Sequence, residues 1–369
     1  MRDVVIIGSL PRKYGGGTGG IATHVEQLAD SLAKKNFRVT VYSDVDIIIK
    51  RSDSFNVVGL KNIKNILLAF VNKPISLLSK FLKKDKAGIK RDILTFLIQH
   101  NHDRKNTVIH VHSLHNLLCD DEILDTYKCV NTDHGYWQSH DLNKSRIESR
   151  INKAEKVISV SKYAQNILKK DFPNVDENKL LVIYNPIKID EVSFDINRER
   201  QYNFFNGFSE SLERKGLDKF VYIAEKNKED LFIAIADNNG CKFIKDKRLD
   251  NVDIHGRCDF NKIVEIYKKS KVMILPSKSE SFGLVYLEAA YYGVPVIGFA
   301  PVINEFNQYL STTIGYPYDP SNQNNDDLLE IYKKVQSMDF EHDKISNLIR
   351  KKFSWEIKVN EFINAYECV

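Results

Sequence analysis

The strongest constraint on this chain is a repeated alternation of short apolar runs with charged segments whose apolar residues fall at helical spacing. Residues 4–7 and 39–42 read as buried strands, and 22–35 between them as an amphipathic helix, which makes a βαβ unit. Further runs at 108–111, 129–131, 157–160 and 180–183 continue the series, so a parallel sheet covered on both faces is expected. Tyr184-Asn185-Pro186-Ile187 interrupts it, because proline disfavours helix at the residue before it and a polar stretch over 190–200 follows. A second series then starts, with strands expected at 202–206, 232–236, 252–254, 272–275 and 294–299 and helices near 218–226, 261–269 and 284–292. Its tail, 353–366, has the spacing of an amphipathic closing helix. A length of 369 residues suits about two domains. The expected division is therefore 1–186, 187–352 and a helix over 353–369 that packs back on the first domain.

Composition narrows the class. The chain is 43% hydrophobic and 28% charged, as a globular protein is. Its five cysteines at 119, 129, 241, 258 and 368 form no C-x-x-C pair, which argues against a disulfide framework or a zinc ribbon and for a reducing compartment. The apolar run at 4–7 leads into a glycine-rich loop, not into the cleavage site of a signal peptide, and no run approaches the roughly 20 apolar residues of a membrane span. A cytoplasmic location is expected. A net charge of +5 does not imply a nucleic-acid partner. Between 61 and 91, however, nine Lys or Arg face one acid, Asp85, interleaved with apolar residues. That stretch reads either as solvated amphipathic helices or as a surface that docks on anionic lipid at the inner face of the membrane.

Chemistry concentrates between Pro276 and Pro295. A strand, a polar loop and a helix opening at Gly283 place Glu280 before the helix and Glu288 about two turns along it. Ligands of a doubly wound sheet bind outside the carboxyl ends of its strands. The amides around Ser281, Phe282, Gly283, Leu284 and Val285 would sit at the helix N-terminus, unsatisfied and aimed at an anion. Two carboxylates so placed suit two separate contacts, one to sugar hydroxyls and one to a ribose, and not an acid/base pair on one bond. In isolation such glutamates are more often plain surface acids.

With its surroundings, this segment resembles the family 4 retaining glycosyltransferases of the GT-B fold, whose Pro-Ser, Glu-Ser/Gly-Phe-Gly, second Glu and Gly-Val-Pro-Val occur here in order. The resemblance implies an α/β architecture of two Rossmann-like doubly wound domains facing a cleft. It implies a nucleotide-diphosphate sugar donor, UDP- or GDP-linked. Glu280 would then contact the donor sugar, Phe282 to Val285 the diphosphate, and Glu288 the ribose. Gly19 and Gly20, ending a glycine-rich stretch after the first strand, would face the donor as well, with His24 behind them in the acceptor cleft.

His110-Val111-His112 puts two imidazoles on one face of a strand, which suits a metal in principle; the resemblance instead makes it the H-x-H segment lining the acceptor cleft at His112. His134, in Thr132-Asp133-His134, matches a T-x-H segment whose histidine approaches the donor sugar or the acceptor hydroxyl; a purely structural histidine is the bland alternative. One departure stands out. Where the family reads Gly-Arg and then Lys-Gly, this chain has Gly207-Phe208 and Arg214-Lys215-Gly216. Lys215 keeps the lysine's place, and Arg214 is the candidate to replace the absent arginine. The resemblance implies a reaction without metal or other cofactor, and no Asp-x-Asp arrangement reads as a convincing metal site. His134, Glu280 and Lys215 are the expected catalytic residues, and the acceptor a glycan or a lipid-linked glycan of the cell surface. Phe208 also leaves room for a second class of function, a GT-B scaffold or glycan-binding subunit that no longer transfers sugar.

Overall fold

The computed structural model describes residues 3–17, 19–46, 49–51, 54–61, 86–116, 118–138, 143–189, 200–208, 210–337 and 340–369. Most of the basic stretch 61–91 and of the polar stretch 190–200 lies outside them. The chain divides into two compact units, Met1–Pro186 with Trp355–Val369, and Ile187–Ser354.

Among the described residues the first unit has eight strands: β1 Asp3–Ile7, β2 Arg38–Ser43, β3 Ile49–Arg51, β4 Asn56–Gly59, β5 Thr107–His112, β6 Lys128–Asp133, β7 Lys156–Ser159 and β8 Leu180–Val182. Their order is β3-β4-β2-β1-β5-β6-β7-β8, parallel throughout except for the antiparallel edge pair β3–β4. Successive side chains of a strand point to opposite faces. Val4 and Ile6 accordingly pack under the helices Gly20–Lys34 and Trp355–Glu367, while Val5 and Ile7 pack under Lys86–Asn101 and Asp121–Thr126. Both faces are apolar, so the strand reads as a continuous hydrophobic run. The C-terminal helix thus completes the core of the first unit, through Val359, Phe362 and Tyr366.

The second unit has β9 Tyr202–Gly207, β10 Leu231–Ala236, β11 Val252–His255, β12 Ser270–Leu275, β13 Val296–Phe299 and β14 Gly315–Tyr318, in the order β11-β10-β9-β12-β13-β14, all parallel. In each sheet the strand order reverses at one place, between β1 and β5 and between β9 and β12. Loops leaving two such strands diverge to opposite faces and open a crevice between them, the position where this class of sheet binds ligands.

The expected strands are present, with ends shifted by one or two residues. Sequence patterns gave no sign of the strands β3, β4 and β14, or of the helices Asn238–Asp246, Ala300–Leu310, Asn325–Gln336 and His342–Phe353. The first of these helices shows why. That helix begins Asn-Asn-Gly, a turn signal, yet the Asp237 carboxylate caps it by accepting the Gly240 N–H at 2.8 Å.

Candidate functional site

At the β9/β12 reversal, the loop after β9 brings Arg214 and Lys215, and the loop after β12 brings Ser277 and Glu280. Two glycines let the loops approach. Gly216 has φ +76, and a Cβ there would lie 2.4 Å from the Pro276 carbonyl oxygen. Gly283 has φ +73 and caps the helix Leu284–Tyr291, where a Cβ would strike the Tyr286 ring at 2.4 Å. Tyr286 in turn ties the two sheet ends together, donating to the Leu275 carbonyl at 2.9 Å and accepting from the Phe299 N–H at 3.1 Å.

The Glu280 side chain is buried, with Oε1 accepting from Lys215 Nζ at 2.5 Å and from Ser277 Oγ at 2.9 Å. Arg214 stands farther off, 3.7 Å from Glu280 Oε2. Its guanidinium is engaged elsewhere: Nε donates to Glu210 at 2.6 Å and Nη1 to the Ser279 carbonyl at 3.1 Å. Glu288, in the same helix, accepts from the Tyr267 hydroxyl at 3.3 Å. Loss of solvation pushes its carboxyl up to about 7, opposed by that hydrogen bond. Phe208, in the place expected to hold a guanidinium, is 37% exposed, and Arg257 lies over its ring at 5.7 Å. Arg257 comes from the loop after β11, and nothing in the sequence pattern marked it.

At the β1/β5 reversal of the first unit lies a cavity of about 280 Å³, lined by Gly8, Gly16, Gly17, His112, Ser113 and Asn116 among others. A Cβ on Gly16 would lie 1.9 Å from the Leu10 carbonyl oxygen, so this turn admits only glycine. The buried Arg150 braces the segment that follows β5, donating to the carbonyls of Leu114 and Cys119 at 2.8 and 2.9 Å. Of the glycine-rich stretch it is thus Gly16 and Gly17 that line the cavity, and not Gly19 and Gly20, which open the helix Gly20–Lys34. Asp44-Val45-Asp46 stands close by, but Asp44 pairs with Lys90 at 2.5 Å and Asp46 with Lys61 at 2.9 Å.

Behind the cavity the structure gathers histidines that the sequence had separated. His112 Nδ1 and His134 Nε2 share a hydrogen bond at 3.0 Å, one ring donating to the other. The His24 ring centre lies 5.4 Å from that of His112 and 5.2 Å from that of His134. Trp355 and Phe362 close the cluster on the other side. His24 is therefore buried and does not line the cavity, contrary to its expected place in the acceptor cleft. His110 serves the core: its nitrogens meet the Tyr366 hydroxyl and Thr132 Oγ1, both at 2.7 Å, which leaves the His110/His112 pair unsuited to a metal. Burial first, and neighbouring imidazoles second, lower these groups from their ordinary 6.5, His110 to about 3 and His24 and His112 well below it; burial and the nearby His115 bring His134 to about 3. The adjacent Asp133 is raised by burial to about 6, although the N–H groups of Gly135 and Tyr136 donate to it at 2.9 Å.

Comparison with known proteins gives these two sites a context. Residues 18–191 match the description "Glycosyltransferase Family 4" and residues 189–344 match "Glycosyl transferases group 1", so the two matches run through both units. The chain belongs to the family 4-type glycosyltransferases of the GT-B fold. A sucrose-phosphate synthase from Thermosynechococcus elongatus superposes with a TM-score of 0.75 at 16% identity, covering 100% of this chain and 98% of that one. An uncharacterized glycosyltransferase of Methanocaldococcus jannaschii is 27% identical over 226 residues, 58% of this chain and 60% of the relative. The O-antigen chain mannosyltransferase of Salmonella typhimurium is 26% identical over 162 residues, 41% of this chain and 44% of the relative. These curated relatives are each matched over less than two thirds of their length. The second unit's site is made of paired charged groups beside a helix N-terminus, while the first unit's cavity is lined by polar groups and backbone.

Proposed function

We propose that this glycosyltransferase moves a hexosyl group from a UDP- or GDP-linked sugar to a glycan or lipid-linked acceptor of the cell surface, with retention of anomeric configuration. The observation that carries this reading is the cluster of Lys215, Glu280 and Ser277 beside the helix N-terminus at Gly283, at the strand-order reversal of the second unit. The cell-surface acceptor is supported by the name of the Salmonella relative.

In this reading the diphosphate lies against the amides of Phe282 to Val285 and draws Lys215 toward it. Fixed donors aimed at developing charge are the largest catalytic contribution a site of this kind makes. Glu280, released in part from Lys215, accepts from sugar hydroxyls, and ionised Glu288 accepts from the ribose. The acceptor oxygen forms its bond to the anomeric carbon on the face the leaving phosphate departs from. The bond from that carbon to the phosphate oxygen breaks, and the acceptor proton passes to the phosphate. Nothing in this sequence of events requires a metal. His134 assists at the reacting sugar or acceptor hydroxyl, and the cavity lined by Ser113 and Asn116 receives part of the acceptor. Arg257, held over the Phe208 ring, supplies the second cation to the diphosphate, because Arg214 is already engaged by Glu210 and Ser279.

The rival reading, a chain that binds a donor but no longer transfers, rests on Phe208. Incubating the purified chain with UDP- and GDP-sugars separates the two: release of nucleoside diphosphate, slow alone and faster with acceptor, supports transfer, whereas binding without release supports the rival. Docking on the inner membrane face through 61–91 belongs to the same proposal. Binding to anionic vesicles should fall when Lys80, Lys83, Lys84 and Lys86 are replaced by Gln, and unchanged co-sedimentation would remove that part of it.

A further inference from the structure

Two of the clustered histidines have more binding capacity than the fold uses. Both nitrogens of His24 and the Nε2 of His112 are buried without a hydrogen-bond partner, and buried polar atoms left this way are uncommon in folded proteins. One nitrogen from each of His24, His112 and His134 can be chosen so that all three lie within 4.8 Å of one another. We propose that His24, His112 and His134 form a site for a divalent transition-metal ion of the zinc class, with three imidazole ligands and one open position, and that its occupancy inhibits transfer.

Geometry and ligand chemistry both favour that class. Around a tetrahedral zinc with Zn–N of about 2.05 Å, two ligand nitrogens stand roughly 3.3 Å apart. The His112 and His134 nitrogens are already at 3.0 Å, and the His24 ring, which no hydrogen bond fixes, has only to turn toward them. On coordination the His112–His134 hydrogen bond gives way: the ring that donated it moves that proton to its own other nitrogen, so each neutral imidazole gives one lone pair and keeps one N–H, with no redox change and no net loss of a proton. The set holds no carboxylate. Three imidazoles suit Zn²⁺, Co²⁺, Ni²⁺ or Cu²⁺, whereas Mg²⁺ and Ca²⁺ require oxygen ligands. His112 also lines the 280 Å³ cavity, which gives the ion a way in and the fourth position a way out to solvent. Inhibition follows from the proposed role of His134: a lone pair held by a metal is not available to a sugar or an acceptor hydroxyl. That half of the inference rests on the proposed function; the binding half does not.

The test uses the full chain, stripped with a chelator and titrated with Co²⁺, whose visible ligand-field absorption reports a tetrahedral nitrogen site without any substrate. The expected result is saturation at one ion per chain and displacement by Zn²⁺. In His24→Asn and in His134→Asn the affinity should fall by at least the roughly 10–100-fold that loss of a supporting shell residue costs. His255→Asn, which changes a histidine of the other unit, should leave the titration unchanged. Absent bands, or bands of equal affinity in His24→Asn, overturn the site. Should either variant fold poorly by circular dichroism, a zinc-induced rise in the wild-type thermal midpoint that is missing from the other variant supports it, and no rise in wild type overturns it. Zinc should suppress sugar transfer and excess chelator restore it; a zinc-loaded chain with full activity overturns the inhibitory role alone.

Discussion

The two sites handle burial in opposite ways. In the second unit charges are kept and paired: Lys215 lies on Glu280, and Arg214 on Glu210. In the first unit the titratable groups are neutralised, with four imidazoles held far below their ordinary value by burial and by one another. A pocket that must bind a dianion needs cations ready to change partner, and an ion pair with a neighbouring carboxylate keeps them ready at low cost. A cavity that receives a neutral hydroxyl needs uncharged donors and acceptors. In the proposed reading this difference gives the diphosphate to the second unit and the acceptor hydroxyl to the first.

Breaking the pairing should have the largest consequence. Lys215→Ala is expected to lower kcat by about 10²–10³, some 2.7–4 kcal/mol in barrier, measured as nucleoside diphosphate release at saturating donor. Near-normal turnover with an intact fold would show that the lysine belongs only to the ion pair. Arg257→Ala should raise the donor KM by about tenfold or more, in line with roughly 1.5–3 kcal/mol for a hydrogen bond to a charged group. Phe208→Arg in that background should restore it. Failure of the rescue would mean that Arg257 does not stand in for the missing guanidinium.

The pH behaviour sharpens the contrast, because the two sites respond with opposite sign. If Glu288 binds ribose as a carboxylate, as proposed, burial that raises it to about 7 means donor affinity should rise about tenfold between pH 6 and 8 and lose this dependence in Glu288→Gln. As to stability, its raised value favours the protonated form in the fold, so its burial costs most above pH 7 and least below the ordinary 4.5. The histidines do the reverse. Their folded values lie below 6.5, so above pH 6.5 they cost nothing in protons, and as pH falls below it the unfolded chain takes up protons that the fold refuses. Each contributes up to about 1.4 kcal/mol of lost stability per pH unit. Urea unfolding at pH 6.5 and 5.5 should show this steep loss, and His24→Asn should reduce the slope by one proton. A flat profile would contradict buried neutral imidazoles. The smallest effect tests only the loop: Gly16→Ala, with its Cβ 1.9 Å from the Leu10 carbonyl, should destabilise by roughly 1–3 kcal/mol.

Much of this was legible in the chain. The apolar runs of β1, β5, β9 and β12 show in the sequence because strands buried on both faces carry no polar alternation. Glu280, Gly283 and Glu288 stood out because one loop and one helix carry them, so sequence spacing and spatial spacing coincide. Lys215 required a resemblance, since it reaches Glu280 across 65 positions. Three strands were hidden for physical reasons: β3 and β4 are short and half polar, and β14 contains Pro317, which a strand accepts only where a ladder bond is not needed, as at this sheet's edge. Arg257 and the packing of His24 against Trp355 were not legible at all, because no local pattern records which loops a parallel sheet brings together.

The central claim, that the second unit holds a nucleotide-diphosphate sugar, is tested most directly by thermal unfolding of the chain with UDP, GDP and their sugars. One nucleotide should stabilise the wild type by roughly 2.7 kcal/mol at 100 times its Kd, and markedly less in Lys215→Ala and Glu288→Gln at the same concentration. No stabilisation by any of these ligands, or equal stabilisation of wild type and both variants, would contradict the account.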